Sequence, residues 1–155
     1  MKYVLSLTVL FCLILFNCKT QEVPKKQTET VHTVDKKSVA HLVGAKWVLT
    51  KLNGDIVNLS KTELEQPFIR LTAKDNGVGG NSGCNPFGGT FTLKGNQNIQ
   101  FSEMLATMRY CDDNGIEGVF MANLQKAATY IITNNELTLK DENGYVLSTF
   151  EAVED

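Results

Sequence analysis

The sequence predicts an α+β domain that is mainly antiparallel β, a small curled sheet or cracked barrel with one amphipathic helix. Three observations carry this prediction: short segments of alternating apolar residues, Asn-Gly and Asn-Asn turns between them, and one stretch with helical spacing. Short strands joined by tight turns pair as antiparallel hairpins, and a single helix packs against the sheet they form. The predicted domain covers residues 42–155, an ordinary size for one domain.

The first half of this domain consists of predicted strands. The stretch "KWVLTKL" (Lys46–Leu52) alternates, and an Asn-Gly pair then turns the chain into "DIVNL", which is a strong hairpin signal. In "PFIRLTA" (Pro67–Ala73), Ile69 and Leu71 lie on one predicted face. Three further strand segments, "TFTL", "NIQF" and "MLATMRYC", follow a glycine-rich stretch.

The second half begins with the predicted helix. Ile116, Phe120 and Leu124 recur at a spacing of four residues, with Glu117 early and Lys126 late, which suits the helix dipole. The following stretch, "YIITNNELTLKDENGYVLSTF", predicts three short strands joined by Asn-Asn and Asn-Gly turns.

The chain begins with the features of a bacterial lipoprotein leader. Lys2 precedes an apolar run, Tyr3–Phe16, whose length fits a secretory signal better than a membrane span or a buried helix. The run ends in "LFNC", which resembles a lipobox, although Phe16 and Asn17 replace the small residues usual there. Residues 1–17 are therefore predicted to be a signal peptide, with Cys18 lipidated and the protein anchored in the bacterial envelope, in the outer membrane facing the periplasm.

Residues 18–41 are predicted to be the lipidated cysteine and a flexible tether. They contain many Thr, Gln and Lys and almost no large apolar side chain, so they cannot bury enough surface to fold. From Leu42 onward the chain carries nine basic and fourteen acidic residues. This net negative charge argues against nucleic acid as a partner.

Four cysteines divide between the leader and the domain. Cys12 is predicted to leave with the signal peptide and Cys18 to carry lipid, so Cys84 and Cys111 remain as an even pair. In an oxidising compartment a disulfide is the default expectation for them. Whether their Cα atoms lie within about 7 Å is not fixed by the sequence. A thiol-redox pair, or a soft-metal site that adds the sulfur atoms of nearby methionines, is the alternative.

The glycine-rich stretch "GVGGNSGCNPFGGTF" (Gly77–Phe91) invites three catalytic interpretations, and all fail. A phosphate loop needs Lys and Ser or Thr after its last glycine, a dinucleotide loop needs glycine at Ser82, and a nucleophile elbow needs glycine at Cys84. The only histidines, His32 and His41, lie in the predicted tether, so no base accompanies a nucleophile. No catalytic residue, cofactor or metal is therefore predicted, and the glycines are expected to serve bends, bulges and close approach of strands.

The stretches "GNSGCNPFGGTF" and "LATMRYC" together resemble the signature of the META/HslJ-like domain family. The opening "GAKWVLTKLNGDIV" and the closing "ELTLKDENGYVL" are similar to the family as well. Candidates for binding, or for stabilising the turn, are Ser82 and the signature residues Asn85, Thr107 and Arg109.

The resemblance implies a small antiparallel sheet or cracked barrel with a helix. It also implies a bacterial envelope protein, often a lipoprotein, associated with stress and without established enzymatic activity. The function expected from the sequence is thus a non-enzymatic, lipid-anchored protein that binds or scaffolds an unidentified envelope protein or ligand in envelope maintenance and stress tolerance.

Overall fold

Antiparallel strands account for half of the residues that the computed structural model describes, which are 41–59 and 63–153. The predicted leader, Cys18 and the tether up to residue 40 lie outside the described residues. The elements in chain order are β1 (Lys46–Leu52), β2 (Asp55–Ile56), β3 (Phe68–Thr72), β4 (Gly77–Asn81), β5 (Pro86–Lys94), β6 (Asn98–Ala106), α1 (Ile116–Lys126), β7 (Thr129–Thr133), β8 (Glu136–Lys140) and β9 (Val146–Val153).

The strands curl into a ring. The sheet order is β2-β1-β3-β4-β5-β6-β7-β8-β9, and β1 also pairs with β9, so eight strands close on themselves while β2 extends β1 as a hairpin. The ring is not a regular barrel, because β6 and β7 are joined through one residue pair, Asn98 with Thr129. The fold class predicted from the sequence, mainly antiparallel β with one helix, is confirmed.

The helix is where the periodicity places it, and two strand predictions needed revision. Within the described chain, no helix is long and apolar enough to cross a membrane. The glycine-rich stretch forms most of β4 and the first half of β5. Strand β6 joins the two predicted segments "NIQF" and "MLA". "TMRYC" is not a strand: the backbone N–H and carbonyl oxygen of Arg109 bond to the side chain of Asn85 instead of to a neighbouring strand.

The core lies inside the ring, and the helix joins its opposite sides. Phe120 of α1 is fully buried, with its ring centroid 5.8 Å from that of Phe87 on β5 and 6.2 Å from that of Phe150 on β9, both edge to face. Counted around the ring, β5 and β9 are four strands apart in either direction. One aromatic side chain of the helix therefore packs against two opposite walls, which holds the irregular ring around it.

Gly80 in β4 is required by close packing rather than by its backbone torsions. A methyl group there would overlap the carbonyl oxygen of Phe68 on β3 and approach the ring of Phe87. Gly88 on the neighbouring strand differs, because the nearest atom to an added methyl group, the carbonyl oxygen of Val78, would lie 3.8 Å away. The expectation that glycines allow close strand approach thus applies to Gly80 but not to Gly88.

A β-bulge in β6 changes the face on which its last residues lie. Thr90 pairs with Ser102 and Gly88 with Leu105, so two residues of β6 lie opposite one residue of β5. The first of these two, Glu103, has a φ of 55°. Ile99 and Phe101 are buried, and simple alternation would also bury residue 105. The bulge shifts the alternation by one residue and turns Leu105 outward.

The two glycines provide a matched test of strand packing. We expect Gly80→Ala to lower the free energy of unfolding by about 1 to 3 kcal/mol, because the β4–β3 contact leaves no room for a methyl group. Gly88→Ala should change it by less than about 0.5 kcal/mol. Urea unfolding of both variants measures this, and equal effects at the two positions would contradict the packing described for Gly80.

Candidate functional site

A four-residue hairpin loop between β4 and β5, Ser82–Asn85, carries two of the predicted site residues, Ser82 and Asn85. The Ser82 N–H donates to the carbonyl oxygen of Asn85 at 2.9 Å, closing the loop. Gly83 has a φ of 108°, in the left-handed region that favours glycine, and its N–H donates to Asn81 Oδ1 at 2.7 Å. The loop is packed inside the molecule, and all four residues Ser82–Asn85 are buried.

The side-chain amide of Asn85 is the centre of the site. Its Oδ1 accepts the Thr107 hydroxyl at 2.7 Å and the Arg109 N–H at 2.8 Å. Its Nδ2 donates to the Arg109 carbonyl oxygen and to Glu117 Oε2, both at 2.9 Å. An amide side chain has two donor hydrogens and two acceptor lone pairs, so Asn85 makes all four hydrogen bonds of which its side chain is capable. Asn85 is 1% exposed, and these four bonds offset the cost of removing its amide from water.

The first turn of α1 brings a carboxylate to this centre. Glu117 Oε1 accepts the Ser82 hydroxyl at 2.5 Å, while its other oxygen binds Asn85. The buried Asp113 fixes the start of the helix: its two carboxylate oxygens accept the Gly115 N–H at 2.9 Å and the Glu117 N–H at 2.7 Å. These donors have no partner within the helix, so the carboxylate satisfies them and the helix dipole favours its charge.

A disulfide and an arginine close the site from the side of residues 107–111. Cys84 and Cys111 are bonded, with their Cα atoms 6.0 Å apart. Arg109 Nη2 donates to the Cys84 carbonyl oxygen at 2.6 Å. The disulfide predicted from the cysteine count is therefore present in the structure. The hairpin loop, segment 107–111 and the start of α1 form one bonded unit, which we call the Asn85 node.

The structure brings together the predicted site residues of the domain, whereas Cys18 lies outside the described residues. Thr107 and Arg109 both donate to the side chain of Asn85, and the hydroxyl of Ser82 accepts the backbone N–H of Asn85. The sequence did not identify Asp113 and Glu117 as members. The acidic residues before and within the first helical turn were a usable signal for Asp113, whereas nothing local marks Glu117 as a partner of a loop 32 residues away.

The chemistry of the node is that of a structural junction. Its serine is fully buried and hydrogen-bonded to a carboxylate. Within the described ranges, no three His, Cys, Asp or Glu side chains come together as a metal-binding group. The bonds instead fix three chain segments against one another.

A shallow groove of about 260 Å³ lies elsewhere, where β6 and α1 meet without strand pairing. It is lined by Thr92, Lys94, Asn98, Ile99, Gln100, Gln125, Ala127 and Ala128. Its polar side chains are exposed, and it is separate from the Asn85 node.

Removal of the Asn85 amide tests the structural role of the node. We expect Asn85→Ala to lower the free energy of unfolding by about 3 kcal/mol, because it removes the buried amide from four bonds and strips Glu117 of a partner. Thr107→Val, which removes one bond at an exposed residue, should cost about 1 kcal/mol. Urea unfolding measures both changes. Equal and small decreases in the free energy of unfolding for the two variants would contradict the structural role of Asn85.

The disulfide offers a second test. Closing a loop with a sequence separation of 27 should stabilise the fold by about 3.5 kcal/mol on the chain-entropy model. Reduced protein should therefore unfold at lower urea than oxidised protein, and the double variant Cys84→Ala, Cys111→Ala should match the reduced form. Alkylation of both cysteines in non-reduced, denatured protein taken from the envelope would show that the bond does not form in the cell.

Several solved structures are similar to this chain. One is an NMR structure of a protein from Burkholderia xenovorans, 20% identical, with a TM-score of 0.63 over 79% of this chain and 90% of that chain. A second NMR structure is 23% identical, with a TM-score of 0.57 over 72% and 92%. The crystal structure of a DUF4847 family protein from Bacteroides vulgatus is 15% identical, with a TM-score of 0.54 over 74% and 96%. At these identities the likeness shows the fold alone.

The family comparison is more specific than the structural one. No curated protein matches the chain. The META domain model matches residues 40–154, which include the hairpin loop, segment 107–111 and helix α1. Because this match covers well over half of the sequence, the chain belongs to the META domain family.

Proposed function

We propose that the protein is a non-enzymatic, lipid-anchored protein of the bacterial envelope that binds or scaffolds an envelope partner and supports envelope maintenance under stress. The Asn85 node is the observation that carries the proposal. Its polar side chains are the best candidates for catalytic groups among the predicted site residues, and they are hydrogen-bonded to other groups of the protein. A site built in this way supports a rigid binding domain better than a catalytic one.

The cysteines support an envelope location. A disulfide between Cys84 and Cys111 persists in oxidising compartments and is rare in the cytosol. Membership in the META domain family likewise suggests an envelope-associated protein. The "LFNC" ending of the leader supplies the proposed anchor at Cys18, in the outer membrane facing the periplasm.

The alternative function, a thiol-redox or soft-metal protein, starts from the same two cysteines. It requires the disulfide to open readily. Cys84 is fully buried, which hinders attack on its sulfur, so exchange would have to begin at the half-buried Cys111. Slow reduction of the folded protein by glutathione would support the proposed function, and rapid reversible exchange would favour the alternative.

Lipidation is tested directly in a bacterial host fed a labelled fatty acid. We expect label on the wild-type protein and on Cys12→Ala, because Cys12 lies within the predicted leader, and loss of label on Cys18→Ala. Label retained by Cys18→Ala would exclude the proposed anchor.

The cellular role is tested in a strain that lacks the gene. Wild-type protein should restore growth under heat or antibiotic stress, whereas Cys18→Ala should restore it poorly although its domain folds. Full restoration by Cys18→Ala would show that the role does not depend on the anchor.

A further inference from the structure

Three large apolar side chains beside the Asn85 node are unusually exposed. Leu105 is 77% exposed, Met108 97% and Tyr110 91%. Their backbone is nevertheless held firmly: the Arg109 N–H and carbonyl oxygen both bond to Asn85, and the segment ends at the disulfide through Cys111. The backbone that carries these side chains is therefore held in place, and they are not the ends of a loose loop.

The orientation of the three side chains follows from the chain geometry. In segment 107–111 the alternate residues Thr107, Arg109 and Cys111 contact the hairpin loop. Met108 and Tyr110, between them, are left to solvent, and the bulge in β6 turns Leu105 outward before them. We call these three side chains the apolar edge.

We infer that the apolar edge docks onto the lipid surface to which the chain is anchored. This inference rests on the lipid anchor of the proposed function. The size of the edge favours a surface to which the chain is already attached. Three such side chains expose on the order of 500 Å² together, a patch size that is often functional. A stable complex between free proteins buries about 800 Å² on each partner, which is more than the edge offers.

Docking onto a lipid surface to which the chain is already attached requires less buried area than binding a free protein. Attachment through residue 18 makes docking intramolecular, and short linkers give effective concentrations in the millimolar range. A weak apolar contact is then sufficient. The composition of the edge also fits, since tyrosine is favoured at the boundary of lipid and water, and Arg109 lies between the two most exposed residues with further N–H donors for phosphate groups.

The predicted tether is long enough to allow this contact. The domain side of the tether is fixed where the Gly44 N–H donates to the Leu71 carbonyl oxygen. From Leu71 the route to Tyr110 runs along β3 to Phe68, across β4 and β5 to Thr107, and on to Tyr110. At strand spacings this is about 35 Å along the route and about 25 Å in a straight line. The 23 or so residues from 19 to 41 would span about 25 to 30 Å on average as a flexible chain, and more when extended.

The test uses the full chain, purified in detergent and reconstituted into vesicles of phosphatidylethanolamine and phosphatidylglycerol with a doxyl-labelled lipid as quencher. Tyr110→Trp places a fluorescent reporter on the edge. Tyr145→Trp is the matched control, because Tyr145 is also exposed, at 72%, but lies in the β8–β9 turn. The native Trp47 is 1% exposed and serves as an internal reference.

We expect the emission of the reporter at position 110 to shift to shorter wavelength and to be quenched, while the reporter at 145 stays unquenched. Met108→Asp in the Tyr110→Trp protein should abolish both changes without altering the melting curve, because that side chain is almost wholly in solvent. High salt should leave the quenching in place, since the domain is net acidic and the contact apolar.

Two results would overturn the inference: equal quenching at both positions, or none at position 110. A blue shift at position 110 that grows with protein concentration in the absence of lipid would assign the edge to a second copy of the chain instead. The mass of the same preparation shows whether Cys18 is acylated. Acylated protein without quenching defeats the docking inference alone, and quenching in unacylated protein defeats the anchor alone.

Discussion

The buried amide of Asn85 is the interaction on which the rest of the structure depends. It binds segment 107–111 through the backbone of Arg109 and the helix through Glu117, so one side chain fixes three segments that are distant in sequence. In a buried site these bonds are strong, and an unpaired amide there would be costly. The arrangement is therefore cooperative: the loop, the segment and the helix adopt their positions together or lose their partners together.

The position of the helix follows from this constraint. Glu117 secures the first turn of α1 at the hairpin loop, and three residues later Phe120 lies between β5 and β9. Because β6 and β7 share one residue pair, hydrogen bonds between strands close the ring incompletely on that side. Packing of the helix against the inner walls replaces them.

The same constraint separates the polar from the apolar part of segment 105–111. The polar groups of Thr107 and Arg109 are turned to the Asn85 node and bonded, so they hold the backbone. Met108 and Tyr110 receive no cover from the domain and stand in solvent. A rigid backbone that presents apolar side chains loses little conformational entropy when they are buried by something else, which suits a contact surface.

The sequence by itself determined the element types, because helical and strand periods are set by near neighbours: the α1 pattern, the hairpin turns and the inner face of β3 agree with the structure. It also predicted Cys84 and Cys111 as the pair of cysteines available for a disulfide. Only the tertiary structure decided that Cys84 and Cys111 meet, that Glu117 reaches Asn85, and that Leu105 faces outward. The outward face of Leu105 depends on the bulge at Glu103, because a shift of one residue in a strand reverses every side chain beyond it. The other two are contacts between residues 27 and 32 positions apart in the chain. The alternation of apolar and polar residues along the sequence does not reveal such a shift, so the contacts between distant residues are seen only in the folded chain.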